Sequence, residues 1–407
     1  MAIHVVGLGL DPADLPSKTT SLIRRARVLV AGERHLQRYA QHPAIKIPIV
    51  APLSSTFAQI REHEQEKGPV VILASGDPMF YGIGPAVIEE FGAGAVTILP
   101  NITTIQAAAA RIKAPWSDIA TVSLHGRQDM HPLFLALGRY ERIAVLTDTR
   151  SIPAALAQAM LDKGLIQFRI WVFEDLGGEA ERFDLYTLEA ASQKNFSALN
   201  LVLFERTAPM PERPQLGIPD EEFVTERGLI TKWSVRSAAL AALRISRNHT
   251  VWVLGAGCGA VSIEASSLAR TGRVFAVEKK AGRIRHIREN IRRFTALLVE
   301  PVHGIMPDCL EVLPQPDRIF LGGGLGQPDN SVIEAACACL VPGGRIVASC
   351  VLMDSLIRTK ACFEAANWPY SITMITVAHS SPLAASMHLE GQNPVFLVAA
   401  EKPEVMA

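Results

Sequence analysis

Residues Val251 to Ala265 read VWVLGAGCGAVSIEA, and Gly272 to Lys280 read GRVFAVEKK. The apolar run Val251–Leu254 predicts a buried strand. Three glycines follow at alternate positions, Gly255, Gly257 and Gly259, and a helix-forming segment begins at once. Glycine accepts positive φ and lets a ligand approach the backbone. The helix beyond the turn offers unpaired N–H groups. A second apolar strand, Arg273–Val277, ends on Glu278, where a carboxylate can take two ribose hydroxyls. The whole reads as an adenosine-binding strand–turn–helix–strand unit.

Two adenosine cofactors suit such a unit. Gly255, Gly257 and Ala260 satisfy G-x-G-x-x-G/A, the dinucleotide fingerprint, so an NAD-dependent oxidoreductase is one reading. The downstream sequence favours S-adenosylmethionine. Pro342-Gly343-Gly344-Arg345 precedes a strand-like run, Ile346–Leu352, and two further strand candidates, Tyr370–Ala378 and Val395–Ala400, are joined through a turn-rich segment. A parallel sheet ending in such an antiparallel hairpin resembles the class I methyltransferase fold, a Rossmann-like sheet.

The remaining composition narrows the class. A chain of 407 residues exceeds one ordinary domain. With 40 basic and 40 acidic side chains it lacks the basic excess of a nucleic-acid-binding protein. The six cysteines, Cys258, Cys309, Cys337, Cys339, Cys350 and Cys362, form no C-x-x-C pair, and neither a disulfide framework nor a metal site is expected. No apolar run reaches the roughly 20 residues of a membrane helix. The opening MAIHVVGLGL reads as a strand entering a glycine turn rather than a signal peptide, so a soluble, cytoplasmic protein is expected. Strands and helices alternate, which predicts an α/β architecture. The proline-dense stretch TAPMPERPQLGIP, Thr207–Pro219, suits a linker. The expected organisation is a domain over 1–208, a linker over 209–219 and a second domain over 220–407, with a helix over Thr231–Ile245.

In the first half, five predicted strands end in polar or glycine residues. Ile3–Val6 leads to Gly7-Leu8-Gly9, and Val70–Ala74 leads to Ser75-Gly76-Asp77-Pro78 with Tyr81-Gly82 behind. Val96–Leu99 leads to PNITTIQ with Thr103 and Thr104, Ala120–Leu124 leads to His125-Gly126-Arg127, and Ile143–Leu146 leads to Thr147-Asp148. All five ends are expected along one sheet edge, where ligands bind in open α/β sheets.

The GLG turn, the SGDPMFYG loop, the PNITTIQAA segment and the HGR turn together resemble, in family order, the tetrapyrrole (corrin/porphyrin) methylases, or class III methyltransferases, over residues 1–206. They are most similar to the cobalamin-pathway branch acting late on precorrin rings. The segment ITKWSVR, Ile230–Arg236, is similar to the start of that branch's class I partner domain. The resemblance implies a bifunctional C-methyltransferase with one S-adenosylmethionine site per domain. It implies cofactor contacts from Gly7, Gly9, Gly76, Asp77, Tyr81, Thr103, Thr104 and His125 in the first domain, and from Gly255, Gly257, Gly259, Glu278 and Gly304 in the second. It further implies a precorrin substrate methylated at carbon 5 by the first domain. The second would methylate carbon 15 and remove the ring C acetate carboxylate, taking precorrin-6B to precorrin-8. No nucleic-acid or membrane partner is implied, and at least a homodimer is. Two departures from the family pattern are Val253, where an Asp is usual, and Ile305 after Gly304, where an acidic residue is usual. A non-catalytic tetrapyrrole carrier is the remaining alternative.

Methyl transfer from a sulfonium is an in-line displacement in which the protein chiefly positions the two reactants. The acidic arms of a precorrin call for cations, and Arg matches carboxylates through its planar fork. Arg127 is one candidate. Lys232 and Arg236, four residues apart on one predicted helix face, are two more. Glycines of Leu321–Gly326, Gly323 and Gly324 centrally, would let a flat substrate approach. The run Arg283, Arg285, Arg288, Arg292, Arg293 reads as a solvated helix face.

Overall fold

The computed structural model describes residues 2–11, 15–63, 68–126, 129–211, 214–325, 330–384 and 386–404. Arg127 and Gly326, both singled out above, lie outside the described residues. Two compact units are present. The first comprises Met1–Asp129, Tyr140–Ala157 and Phe168–Arg206. The second comprises Thr207–Ala407 together with Met130–Arg139 and Gln158–Gln167. The division therefore does not fall at a single point along the chain.

The first unit holds two sheets. Strands β1 (Ile3–Gly7), β2 (Val28–Ala31), β3 (Ile45–Pro48), β4 (Val70–Ala74) and β5 (Val96–Leu99) form a parallel sheet in the order β3-β2-β4-β1-β5. Its central members VLVA and VVILA are buried at every position, as expected of parallel strands covered on both faces. The second sheet contains β6 (Ile119–Ser123), β7 (Arg142–Leu146), β8 (Phe168–Glu174), β9 (Arg182–Thr187) and β10 (Asn200–Arg206), in the order β6-β7-β10-β8-β9. Only β6 and β7 run parallel there. The expectation of one shared edge is thus corrected: the ends of β1, β4 and β5 lie on the first sheet, and those of β6 and β7 on the second. Strand patterns carry no information about which strands pair, so the two sets looked alike in the sequence.

The second unit is built on β11 (Thr250–Leu254), β12 (Arg273–Glu278), β13 (Val299–His303), β14 (Arg318–Leu321), β15 (Arg345–Cys350), β16 (Tyr370–Ile375) and β19 (Val395–Glu401), in the order β13-β12-β11-β14-β15-β19-β16. The first five are parallel; β19 inserts antiparallel between β15 and β16. The predicted strand over Tyr370–Ala378 stops at Ile375, and the turn-rich connection is itself a hairpin of β17 (Ala378–Leu383) and β18 (Ser386–Gly391). Side chains alternate across β11. Val251 and Val253 enter one core, and Trp252 and Leu254 the other. Strand order reverses between β11 and β14, so a crevice opens beyond their carboxyl ends. Among the described residues no helix is long and apolar enough to cross a membrane.

Trp252, in the middle of β11, is fully buried, and its indole Nε1 donates to the Pro314 carbonyl at 3.1 Å. Replacing it with alanine should cost about 3–5 kcal/mol of unfolding free energy, the usual range for a large aromatic in a core. Urea denaturation of Trp252→Ala followed by far-UV circular dichroism reads this directly.

Candidate cofactor and substrate sites

The glycine turn after β11 is shaped by backbone contacts. Gly255 has φ +70°, and a Cβ placed there would come within 2.5 Å of Gly323 Cα. The N–H groups of Gly322 and Gly323 both donate to the Leu254 carbonyl, at 2.9 and 3.1 Å. The loops leaving β11 and β14 therefore meet backbone to backbone. Gly323 takes its place in that contact, and Gly324, at φ +87°, lies against Val332 and Met306. This corrects their reading as substrate-facing glycines: Gly323 gives room to the loop after β11, Gly324 to Val332 and Met306, and it is Gly322 that lines the crevice. Gly257 differs from its neighbours. Its φ is +61°, and an added Cβ would meet nothing within 4 Å, which leaves open space for a ligand. Gly259, at φ +88°, begins the helix Ala260–Leu268 and packs against Ile287.

Glu278, 3 % exposed at the end of β12, closes the turn. Its Oε2 accepts the Gly257 N–H at 3.0 Å, and its Oε1 accepts the Lys280 N–H at 3.0 Å. Arg283 Nη1 stands 3.9 Å away. Each carboxylate oxygen keeps a further lone pair for a hydroxyl donor. Gly304 donates its N–H to the Glu278 carbonyl at 3.3 Å, and a Cβ there would strike Cys309, so it supports Glu278 from behind. Val253, in the position where an Asp was noted as usual, is an apolar core residue.

The crevice encloses about 610 Å³. Besides Gly255, Gly257 and Lys232, its walls include Leu229, Thr231, Arg283, Ser349, Val351, Val377, Gln392 and Asn393. Ser349, Gln392 and Asn393 come from β15 and the approach to β19. Nothing in their local sequence marked them: Ser349 reaches the crevice through the parallel order β11-β14-β15, and Gln392 and Asn393 through the antiparallel insertion of β19 beside β15. Of the arginine run, Arg285, Arg288, Arg292 and Arg293 are exposed, whereas Arg283 is half-buried and pairs with Glu226 at 2.8 Å.

Lys232 and Arg236 separate in role. The helix runs Trp233–Leu243, with Lys232 as its N-cap. Lys232 has a 45 % exposed side chain lying 3.6 Å from Asp220, and it remains available to a ligand. Arg236 is fully buried. Its Nε donates to Glu264 at 2.7 Å, Nη1 donates to Asp220 at 3.1 Å and to the Thr231 carbonyl, and Nη2 donates to the Ile218 carbonyl. Its expected grip on a substrate is corrected: those donors already hold the segment 218–231, and no substrate atom can reach them. Burial pushes the Glu264 carboxyl above its usual range, against the pull of Arg236. Asn290, also fully buried, ties the same segment down by accepting the Val224 N–H and donating to the carbonyls of Val224 and Cys258, each at 2.9 Å. Ile218, at the end of the stretch 209–219 expected as a linker, is thereby bonded into the second unit.

In the first unit the loops after β1, β4 and β5 converge. Gly9 and Gly76 form an antiparallel bridge, with N–H to carbonyl distances of 3.4 and 3.2 Å. A Cβ on Gly7 would lie 2.4 Å from the Gly76 carbonyl oxygen. Asn101, from the PNITT segment, donates from Nδ2 to the Gly7 carbonyl at 3.0 Å and would collide with any side chain on Gly9. Asp77 uses Oδ1 to accept the Met79 N–H at 2.7 Å, which turns the loop and leaves Met79, Phe80 and Tyr81 exposed. Tyr81, at φ +52°, donates its hydroxyl to the Thr121 carbonyl in β6 at 3.2 Å, so the first-sheet loop does reach the second sheet. Thr103 accepts the Gln106 N–H while Gln106 accepts the Thr103 N–H, a capping box for the helix Thr104–Arg111. Thr104 is that helix's first residue. His125 is exposed, with Nδ1 3.3 Å from the Thr147 carbonyl. Beside it the Asp148 carboxylate accepts the backbone N–H groups of Ser151, Arg150 and Gly126, which hold its pKa down at about 2.

Removing Arg236 would strand the Glu264 carboxylate, and breaking a buried pair from one side costs about 3–5 kcal/mol. Arg236→Ala should therefore lose stability by that amount in urea denaturation, while Lys232→Ala, at a half-exposed position, should stay within about 0.5 kcal/mol of the parent protein.

Similarity to known proteins accords with this architecture. Residues 2–191 match the family model of tetrapyrrole (corrin/porphyrin) methylases, and residues 222–402 match a precorrin methyltransferase domain. A precorrin-6Y C(5,15)-methyltransferase (decarboxylating) from Sinorhizobium sp. is 31 % identical over 400 residues, covering 97 % of this chain and 94 % of that protein. One of the same name from Mycobacterium tuberculosis is 32 % identical over 371 residues, covering 87 % and 88 %. A crystal structure of a precorrin-6Y C5,15-methyltransferase from Geobacter metallireducens covers 46 % of this chain and 100 % of that one, at 36 % identity and a TM-score of 0.45. With both halves matched in order and relatives aligned almost end to end, the chain belongs to the decarboxylating precorrin-6Y C(5,15)-methyltransferases.

Proposed function

We propose that this methyltransferase acts on a precorrin at ring carbons 5 and 15 and removes the carboxylate of the ring C acetate, with one S-adenosylmethionine site in each unit. The open position at Gly257, bounded by the Glu278 carboxylate, carries the reading for the second unit. S-adenosylmethionine supplies a methyl group already activated by its sulfonium charge. Glu278 accepts ribose hydroxyls, and Gly255 and Gly257 let the donor lie against the backbone. Lys232, at the crevice wall, meets an acidic arm of the ring. Ser349, Gln392 and Asn393 provide neutral polar contacts around the acetate, and Val351 and Val377 keep water from it. Loss of carbon dioxide returns the carbon–carbon bond pair to the conjugated ring, which strengthens a bridging carbon as nucleophile. In the first unit, the crossed loops of Gly9 and Gly76 form the donor platform. Carbon 5 is methylated there and carbon 15 in the second unit.

The nicotinamide reading fits this sheet less well, since its last strands are antiparallel rather than a continuation of the parallel dinucleotide-binding order. A carrier without chemistry has no observation in its favour. We take the enzyme to act as at least a dimer, as the family resemblance implies; light scattering after gel filtration checks this.

Calorimetric titration with S-adenosylhomocysteine should give two equivalents per chain. Charge-assisted hydrogen bonds contribute roughly 1.5–3 kcal/mol, so Glu278→Gln should weaken one site about tenfold or more and leave the other unchanged. Gly76→Val should abolish the other site. Mass spectrometry of its product should show the carbon-15 methyl and the lost carboxylate but no carbon-5 methyl. One equivalent in the parent protein would exclude the two-site reading, and Lys232→Ala should raise the substrate KM without changing cofactor affinity.

A further inference from the structure

The Gly76 loop carries one more polar group. Ser75, exposed at the end of β4, has its Oγ 2.7 Å from Nε2 of His35. His35 sits on the short helix Glu33–Arg38 that follows β2, and β2 lies beside β4 in the sheet. The imidazole is 9 % exposed, and its Nδ1 has no hydrogen-bond partner. A buried nitrogen left unpaired costs roughly 1–3 kcal/mol. The next residue of that helix, Leu36, belongs to the apolar core that includes Ala31, Val71 and Leu73. An aliphatic side chain would fit such surroundings without that cost, so packing alone does not account for a histidine there.

We propose that Ser75, backed by His35, accepts the proton that ring methylation releases in the first unit, a role that rests on the assignment of carbon-5 methylation to that unit. The chemistry requires such an acceptor. The bridging carbon's electron pair forms the new bond to the methyl group, and the carbon–sulfur bond pair departs on sulfur. The carbon then holds both hydrogen and methyl. Conjugation returns when the C–H bond pair re-enters the ring and the proton leaves. Ser75 takes that proton as its own hydroxyl proton passes to His35 Nε2, and the exposed hydroxyl later returns it to water. Burial, with Arg34 and Arg38 on the same helix, pushes the His35 pKa down, so the ring rests neutral and holds a proton only briefly. The nearby Asp77 carboxylate is turned onto the Met79 N–H. Ser75 is the group at the reacting carbon, and His35 is a positioning residue that acts through it.

The test uses the full chain with single-turnover assays, each methylation read by mass spectrometry. Ser75→Ala and His35→Gln should each lower kcat for carbon-5 methylation at least about tenfold, given that general bases contribute typically 10²–10⁴-fold. KM for the ring and the affinity for S-adenosylhomocysteine should stay within about twofold, and carbon-15 methylation should be unchanged. Ser75→Thr, which keeps the hydroxyl, should restore most of the rate. Glutamine can still bond to Ser75 but is not basic, so parental kcat in His35→Gln would reduce the pair to a structural contact and overturn the proposal. Should His35→Gln melt early, the exposed Ser75→Ala decides alone: a parental rate there overturns it. If Gly76→Val also leaves carbon-5 methylation intact, the assignment of that reaction to this unit has failed instead.

Discussion

The second unit depends on one fully buried guanidinium. Arg236 joins the helix Trp233–Leu243 to Glu264 on the helix Ala260–Leu268, and to the carbonyls of Ile218 and Thr231. Burying such a group is expensive unless its donors are all met, and here each nitrogen has a partner. The consequence is geometric. Residues 218–231 are pinned at both ends, Asn290 holds their middle, and their last residues form one wall of the crevice. Lys232 stands where it does because its neighbour four positions on is locked inward.

The donor sites rely on a different constraint, the distance of closest approach between backbones. Gly255 meets Gly323 in the second unit, and Gly7 meets Gly76 in the first. In both, a single added Cβ would push apart two loops that leave neighbouring strands of a parallel sheet. Convergence at the carboxyl ends of those strands follows from the strand order, β11 beside β14 and β1 beside β4. The two sheets are wound differently, yet each places its glycines where the chain must pass close to another backbone. Glu278 and Asn101 then set those turns, one as an acceptor of backbone N–H groups and one as a donor to a carbonyl.

Much of this was legible in the chain. Strand β4 spans Val70–Ala74 and β5 spans Val96–Leu99, as predicted from their apolar runs. The Gly255 turn, its helix and the strand ending on Glu278 also stand as read, because local pattern and burial agree there. Strands β2 and β9 gave weaker signals. VLVA is short, and RFDLYT has no buried position. The hairpin of β17 and β18 was hidden because its side chains are mostly exposed, so no buried period marked it.

What the sequence by itself determined is the chemistry of short segments: glycine turns that admit a ligand, a carboxylate at a strand end, and motif order resembling two methylase folds. Only the tertiary structure decided which side chains remain free to act. Arg236 and Lys232 share a charge and a helix end, yet one is enclosed by Glu264 and Asp220 and the other faces the crevice. Gly323 and Gly257 look equivalent in sequence, yet one packs on backbone and the other borders open space. His35 and Ser75 stand 40 positions apart and meet only because β2 and β4 are neighbours. Apolar runs announce that a strand is buried, but which strands pair, and which polar side chains are left free, arise from contacts distant along the chain.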